Sequence, residues 1–171
     1  MGIRAEHEGL AAWVAVLQAH AFAVEVLEER LLRRHGLPLG WFEVLLRLAD
    51  APDGVLRMQD LARLAWLSKS GITRLVDRME AAGLVERRAC ATDRRVTYAA
   101  ISEAGRERIN AAIPTHREDV QAVFAQHLSR TEQRQLRALL EKVLRANGQS
   151  IGEACGAPAT ASLGEIPAAA G

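Results

Sequence analysis

Residues 67–88 read LSKSGITRLVDRMEAAGLVERR. Ser68 is a good cap for the start of a helix and Gly83 a good stop for its end, so the spacing predicts a helix over 69–82. Ile72, Leu75, Val76 and Met79 recur every three or four residues and share the inner face of that helix. Lys69, Ser70, Thr73, Arg74, Asp77 and Arg78 fall largely on the other side. The preceding residues predict a shorter helix over 58–65, joined to the first by a tight turn at Trp66-Leu67-Ser68. Two helices in this arrangement are common, and the pattern alone is weak. An outer face of small hydroxyls followed by arginines sharpens it. Short side chains permit close approach to a surface, and arginine brings a pair of donors that can engage one base edge.

The next stretch, RRACATDRRVTYAAISEAG at 87–105, holds a loop between two extended segments. Val96, Thr97 and Tyr98 suit a strand, and Leu84–Arg88 is expected to pair with Val96–Ile101 as a hairpin. Arginines at a loop tip bury nothing, so Arg94 and Arg95 are expected to touch something outside the chain. Asp93 is placed to hold Arg95, which would reduce the entropy lost when that long side chain is fixed. Helix, turn, helix and wing together fit duplex DNA. Ser68, Lys69, Ser70, Thr73, Arg74 and Arg78 would approach the major groove. Arg95 would enter the minor groove, whose width sets its negative potential, and Arg94 would meet phosphate.

Charge is distributed to match. The formal net charge is only +1, yet between Arg63 and Arg95 eight cations stand against four anions, a local net of +4 that leaves −3 elsewhere. Positive charge gathered in one third of a chain is expected where one surface meets a polyanion.

Outside this segment the chain is helical in pattern. Leu10, Trp13, Val14, Leu17, Ala21, Val24, Leu27 and Leu31 mark a long first helix ending near His35-Gly36. A second runs through Phe42, Val44, Leu45 and Leu48 and closes at Ala51-Pro52-Asp53-Gly54. Ser102 is expected to cap a long helix to about His127, interrupted and bent at Pro114. Ser129 and Glu132, at the ends of SRTE, form a capping-box pattern that opens a last helix with an apolar stripe of Leu136, Leu139, Leu140, Val143 and Leu144. Residues 147–171 are expected to be a disordered tail. The expected fold class is therefore mainly α: a winged helix-turn-helix lobe at 38–105, with terminal helices at 8–35 and 103–146. Those helices carry apolar stripes longer than the lobe can cover, which predicts a homodimer.

Other classes find little support. There is no Ser-His-Asp context, phosphate-cradling glycine loop or HExxH motif, so no enzyme activity and no cofactor is expected. The five histidines (His7, His20, His35, His116 and His127) lack metal-ligand spacing. Cys90 and Cys155 are too few for a disulfide framework. No signal peptide or apolar run long enough to span a bilayer is read, so no membrane partner is expected and the expected location is the cytoplasm.

Residues 10–146 resemble a MarR-family winged helix-turn-helix transcriptional regulator. The resemblance rests on LSKSGITRLVDRMEAAGLVERR and on DRRVTYAAISEAG, in which Asp93, Arg95, Ile101, Ser102 and Gly105 fill the family's wing pattern. It implies that Asp93 braces Arg95 in the minor groove and that the chain binds a pseudo-palindromic operator as a dimer, as a repressor. It also implies a small aromatic or phenolic effector between the terminal helices and the lobe, a cleft that Trp13, His20, His35, Trp41 and Arg47 would border. Two alternatives stand beside it: a redox-switched regulator using Cys90, and a winged-helix module that docks another protein.

Overall fold

The computed structural model describes residues 8–149 apart from Trp66, Ala91, Thr92, Arg94 and Arg95. Its elements are α1 (Glu8–His35), α2 (Leu39–Asp50), β1 (Val55–Arg57), α3 (Met58–Leu64), α4 (Lys69–Ala81), β2 (Val85–Ala89), β3 (Thr97–Ile101), α5 (Glu103–Val123) and α6 (Arg130–Ala146), with single 3-10 turns at Pro52–Gly54 and Ala125–His127. The expected class holds: the chain is mainly α with a small antiparallel sheet.

The lobe closes around one apolar core. Leu31 of α1, Phe42, Leu45 and Leu48 of α2, Leu61 of α3, Val76 and Met79 of α4, and Ile109 of α5 are all fully buried within it. Apolar side chains at helical spacing on α2 and α4 meet there, so burial of their inner faces drives the helices together. The α2 N-terminus has no side-chain cap of its own, since Pro38 precedes it. Instead the Leu39 N–H donates to the Glu28 carboxylate at 2.5 Å, which ties α1 to the lobe. Asp119 of α5, a buried acid, ties α1 to that helix with ion pairs to Arg30 at 2.9 Å and Arg34 at 3.4 Å.

Several expectations need correction. The wing is not a simple hairpin: β1 adds a third strand, and the sheet order is β1-β3-β2. Val55, Leu56 and Arg57 pair with Ala100, Ala99 and Tyr98. A three-residue strand has no room for the alternation that reveals strands in sequence. The long helix does not reach His127 but ends at Val123, and it runs through Pro114 without a break. Proline forfeits only the bond to the Asn110 carbonyl, on an exposed face where solvent can replace it. Of the expected tail, residues 147–149 close α6 instead, with Gly148 at φ 69° and the Gln149 N–H donating to the Leu144 carbonyl at 2.9 Å. The remainder, 150–171, lies outside the described residues. Finally, α1 is long and apolar enough, by length and composition, to cross a bilayer, contrary to the reading above. From Leu10 to Leu27 only Gln18, His20 and Glu25 interrupt the apolar residues.

Candidate nucleic-acid interface

The α4 helix starts at Ser68, whose Oγ accepts from the Gly71 N–H at 3.0 Å. Thr73 Oγ1 donates back to the Lys69 carbonyl at 2.8 Å. From there the helix divides into three faces. Ile72, Val76 and Met79 are fully buried and Leu75 nearly so. The Thr73 carbonyl and the carboxylates of Asp77 and Glu80, spaced i, i+4, i+7, engage the wing. Lys69, Ser70, Arg74 and Arg78 are exposed, and among the described residues none of the three cations there forms an ion pair. A helix buried on one side and braced on a second thus keeps a third edge of hydroxyl and guanidinium groups open to solvent.

Arg87 on β2 makes the brace. Its Nη2 lies 2.7 Å from Asp77 Oδ1 and donates to the Thr73 carbonyl at 3.1 Å. Its backbone N–H donates to Glu80 Oε1 at 3.1 Å, with Nε 3.8 Å from the same carboxylate. On the neighbouring strands Arg57 Nε donates to the Tyr98 hydroxyl at 3.2 Å, its guanidinium carbon 5.8 Å from the ring centre. That hydrogen bond shifts the Arg57 pKa up from its ordinary value. Between wing base and helix lies a cavity of about 270 Å³ bordered by Arg57, Met58, Lys69, Ile72, Thr73 and Arg87.

At the wing tip, the Val96 N–H donates to the Asp93 carbonyl and the Cys90 N–H to the Val96 carbonyl, each at 3.0 Å. Asp93 is exposed and Cys90 half-buried. Arg94 and Arg95, the two residues expected to reach DNA from the wing, lie outside the described residues, and with them the expected Asp93–Arg95 contact.

The structure does not bring the five expected effector residues together. Trp13 and His20 are exposed on the outer half of α1. Trp13 and His35 are 22 residues apart on one helix, about 33 Å along its axis. His35 meets Thr115 Oγ1 at 2.6 Å, Trp41 packs against the core, and Arg47 is half-buried with Glu43 at 3.9 Å. Close to His35, the His116 ring lies against Phe42 with centroids 4.3 Å apart and planes tilted by 44°, and its Nδ1 is buried without a hydrogen-bond partner among the described residues. Burial lowers the His116 pKa, against a smaller opposing pull from Asp119. Sequence reading passed over Arg57, Glu80, Arg87, Tyr98 and Asp119. The i, i+4, i+7 spacing of Thr73, Asp77 and Glu80 was the available signal for the brace, and nothing local flagged Asp119.

A helix-turn-helix whose second helix is buried on one side, braced to a three-stranded wing on another and open along a cationic edge defines the winged helix-turn-helix class. Comparison with known proteins narrows it. The sequence profile described as the MarR family matches residues 35–96. AbsC of Streptomyces coelicolor, a MarR family transcriptional regulator, is 30% identical in sequence and superposes with a TM-score of 0.76 over 82% of this chain and 95% of its own. Sco3205 of the same organism, a MarR family transcriptional regulator solved in complex with DNA, is 28% identical with a TM-score of 0.77, over 86% of this chain and 90% of its own. The transcriptional regulator MhqR of Bacillus subtilis is 34% identical over 94 residues, 55% of this chain and 63% of MhqR. The alignment thus spans a little under two thirds of that relative. This chain belongs to the MarR family.

Proposed function

We propose that this chain is a sequence-specific DNA-binding transcription regulator that acts as a homodimer. In this reading α4 lies in the major groove with Ser68, Lys69, Ser70, Thr73, Arg74 and Arg78 at its contact edge, Asp93 holds Arg95 in the adjacent minor groove, and Arg94 meets phosphate. The single observation that carries it is the open edge of α4. Lys69, Arg74 and Arg78 gain little from folding where they stand, whereas a phosphate backbone or a guanine edge would engage each of them. The DNA in the Sco3205 complex supports the reading from a relative.

The dimer follows from surface left uncovered. Every residue from Glu8 to Phe22 is exposed, Leu10, Trp13, Val14, Leu17 and Phe22 among them, as are Leu139 and Val143 of α6. A second copy of the chain would bury both helices about a two-fold axis and set the two α4 helices about 34–36 Å apart, one turn of DNA, which calls for a pseudo-palindromic operator. Pairing of copies also accounts for the apolar α1 without a membrane, and the protein works in the cytoplasm. We read its role as that of a repressor, the dimer occluding the DNA it covers. A small aromatic or phenolic effector, held between the terminal helices and the lobe, relieves it by favouring a spacing that DNA does not fit. About 1–3 kcal/mol of coupling would change operator affinity roughly 5–150-fold.

The test is affinity as a function of salt, using a labelled duplex selected by the wild-type protein from a random pool. Binding through about six phosphate contacts gives a slope of log affinity on log salt near −5, and Arg95→Ala lowers affinity about tenfold. A shallow slope that does not depend on sequence would instead make the winged lobe a protein-docking module.

A further inference from the structure

The Arg87 network joins two elements that the proposed function uses separately. Its guanidinium sits between Asp77 at 2.7 Å and the Thr73 carbonyl at 3.1 Å, while its backbone engages Glu80 at 3.1 Å. Thr73, Asp77 and Glu80 span two turns of α4, so the contacts fix the helix along its length and not at one point. On the other side Arg87 is held by the sheet, in register with Ala99 of β3, and Ala99 is fully buried. The brace therefore runs from the open helix, through β2, into a strand anchored in the core. Arg87 spends its charge on two carboxylates of α4 and a backbone carbonyl, and its side chain is only 28% exposed, which leaves it poorly placed to reach outward.

We propose that Arg87 is a positioning residue for DNA recognition: through Asp77, Glu80 and the Thr73 carbonyl it locks α4 to the wing, so that the helix and the wing tip engage neighbouring grooves as one rigid unit. The proposal rests on the DNA-binding reading above and concerns how its two contact elements are held. A guanidinium suits the site because Nη2 engages the Asp77 carboxylate and the Thr73 carbonyl while Nε, on the same rigid plane, lies 3.8 Å from Glu80. Without the brace, each arrival at DNA must fix the angle between helix and wing anew, and that ordering opposes binding.

Positioning and direct contact make different predictions. Arg87→Ala is expected to weaken binding to the selected duplex about tenfold with the salt slope unchanged, because no phosphate contact is lost. Arg74→Ala, on the open edge, is expected to reduce the slope by about one. Asp77→Asn provides a test of sign. Removing a negative charge beside a polyanion should tighten binding by simple electrostatics, whereas loss of the brace loosens it, and the proposal requires loosening. Arg87→Lys should restore only part of the affinity, and the double variant Arg87→Ala/Asp77→Asn should be no weaker than Arg87→Ala alone. Circular dichroism melting of each variant separates these effects from global unfolding. A salt slope reduced by Arg87→Ala, tighter binding by Asp77→Asn, or affinity unchanged in Arg87→Ala while the wild type binds would each overturn the positioning role alone. Failure of the wild type to select any duplex would overturn the DNA-binding reading and this inference with it.

Discussion

At Gly105 a methyl group in place of hydrogen would strike the Leu84 carbonyl oxygen and press on Ile101 and Leu45. The close approach lets Ser102 cap α5 through the Gly105 N–H at 3.0 Å while donating to the Gly83 carbonyl at 2.6 Å. Backbone cannot yield as a flexible side chain can, so Gly105→Ala is expected to cost about 1–3 kcal/mol, read as a lower urea midpoint at unchanged m-value. His116 supplies a pH dependence. Its folded-state pKa lies below the ordinary histidine value because burial disfavours the charged ring. The unfolded chain therefore binds the proton more readily, and stability is full above about pH 6.5 and falls as pH drops below it, levelling off once the folded-state pKa is passed. Melting temperatures at pH 7.5 and 5.5 should show that loss in the wild type, and a smaller one in His116→Gln. The sequence marked Gly105 as part of a motif. That the Leu84 carbonyl oxygen stands in its way is decided only by the packing of two segments 21 residues apart.

Single elements depend on hydrogen bonds that satisfy their ends. Ser68→Ala removes the acceptor for the Gly71 N–H, which should cost about 1 kcal/mol. The loss frays the turn that carries Lys69 and Ser70, so hydrogen exchange should rise first at the start of α4. Ser129 and Glu132 form a complete capping box at α6, with the Glu132 carboxylate accepting from the Ser129 N–H at 2.8 Å. Those hydrogen bonds with Ser129 hold the Glu132 pKa below its ordinary value. The cap is therefore intact above the usual carboxylate range and is lost as pH falls through the lowered pKa. Caps of this kind are local, and both were readable from residue type and spacing. The end of α5 was not. Gln126 donates to the Ala122 carbonyl at 2.6 Å, and Gln133, from α6, to the Ala125 and Leu128 carbonyls, each at 2.9 Å. Part of what stops the helix at Val123 thus comes from the next helix. The β1 strand is similar: Val55–Arg57 is extended because β3 lies beside it, and three residues taken alone carry no such instruction.

For the molecule as a whole, the lobe is a finished core and the terminal helices are not. No residue of α6 is buried, and in α1 only Leu31 is. A charge placed in the proposed two-fold interface should be poorly tolerated, while the lobe should not register it. Leu17→Glu, at a position 47% exposed in the single chain, is expected to raise the dimer dissociation constant about thirtyfold or more. Sedimentation equilibrium would follow the change, and the melting of the monomeric lobe would stay close to that of the wild type. A wild-type chain that sediments as a monomer at micromolar concentration would remove the basis for the dimer. The tie from α1 to the lobe through Glu28, and the one from α1 to α5 through Asp119, are where a change in dimer geometry would reach α4, and neither is legible in the sequence. Arg30, Arg34 and Asp119 are ordinary surface residue types whose pairing spans 85–89 positions.

By itself the sequence determined what repeats at short range. It set the helices by apolar spacing and their starts by serine caps, placed a hairpin wing after α4, and gathered positive charge along the middle third, because each depends on residues within a turn or two of one another. Tertiary structure alone decided the third strand, the end of α5, the three-way division of α4, and the Arg87 brace. These arise where distant segments meet, and there geometry and desolvation, which no local pattern encodes, select the partner.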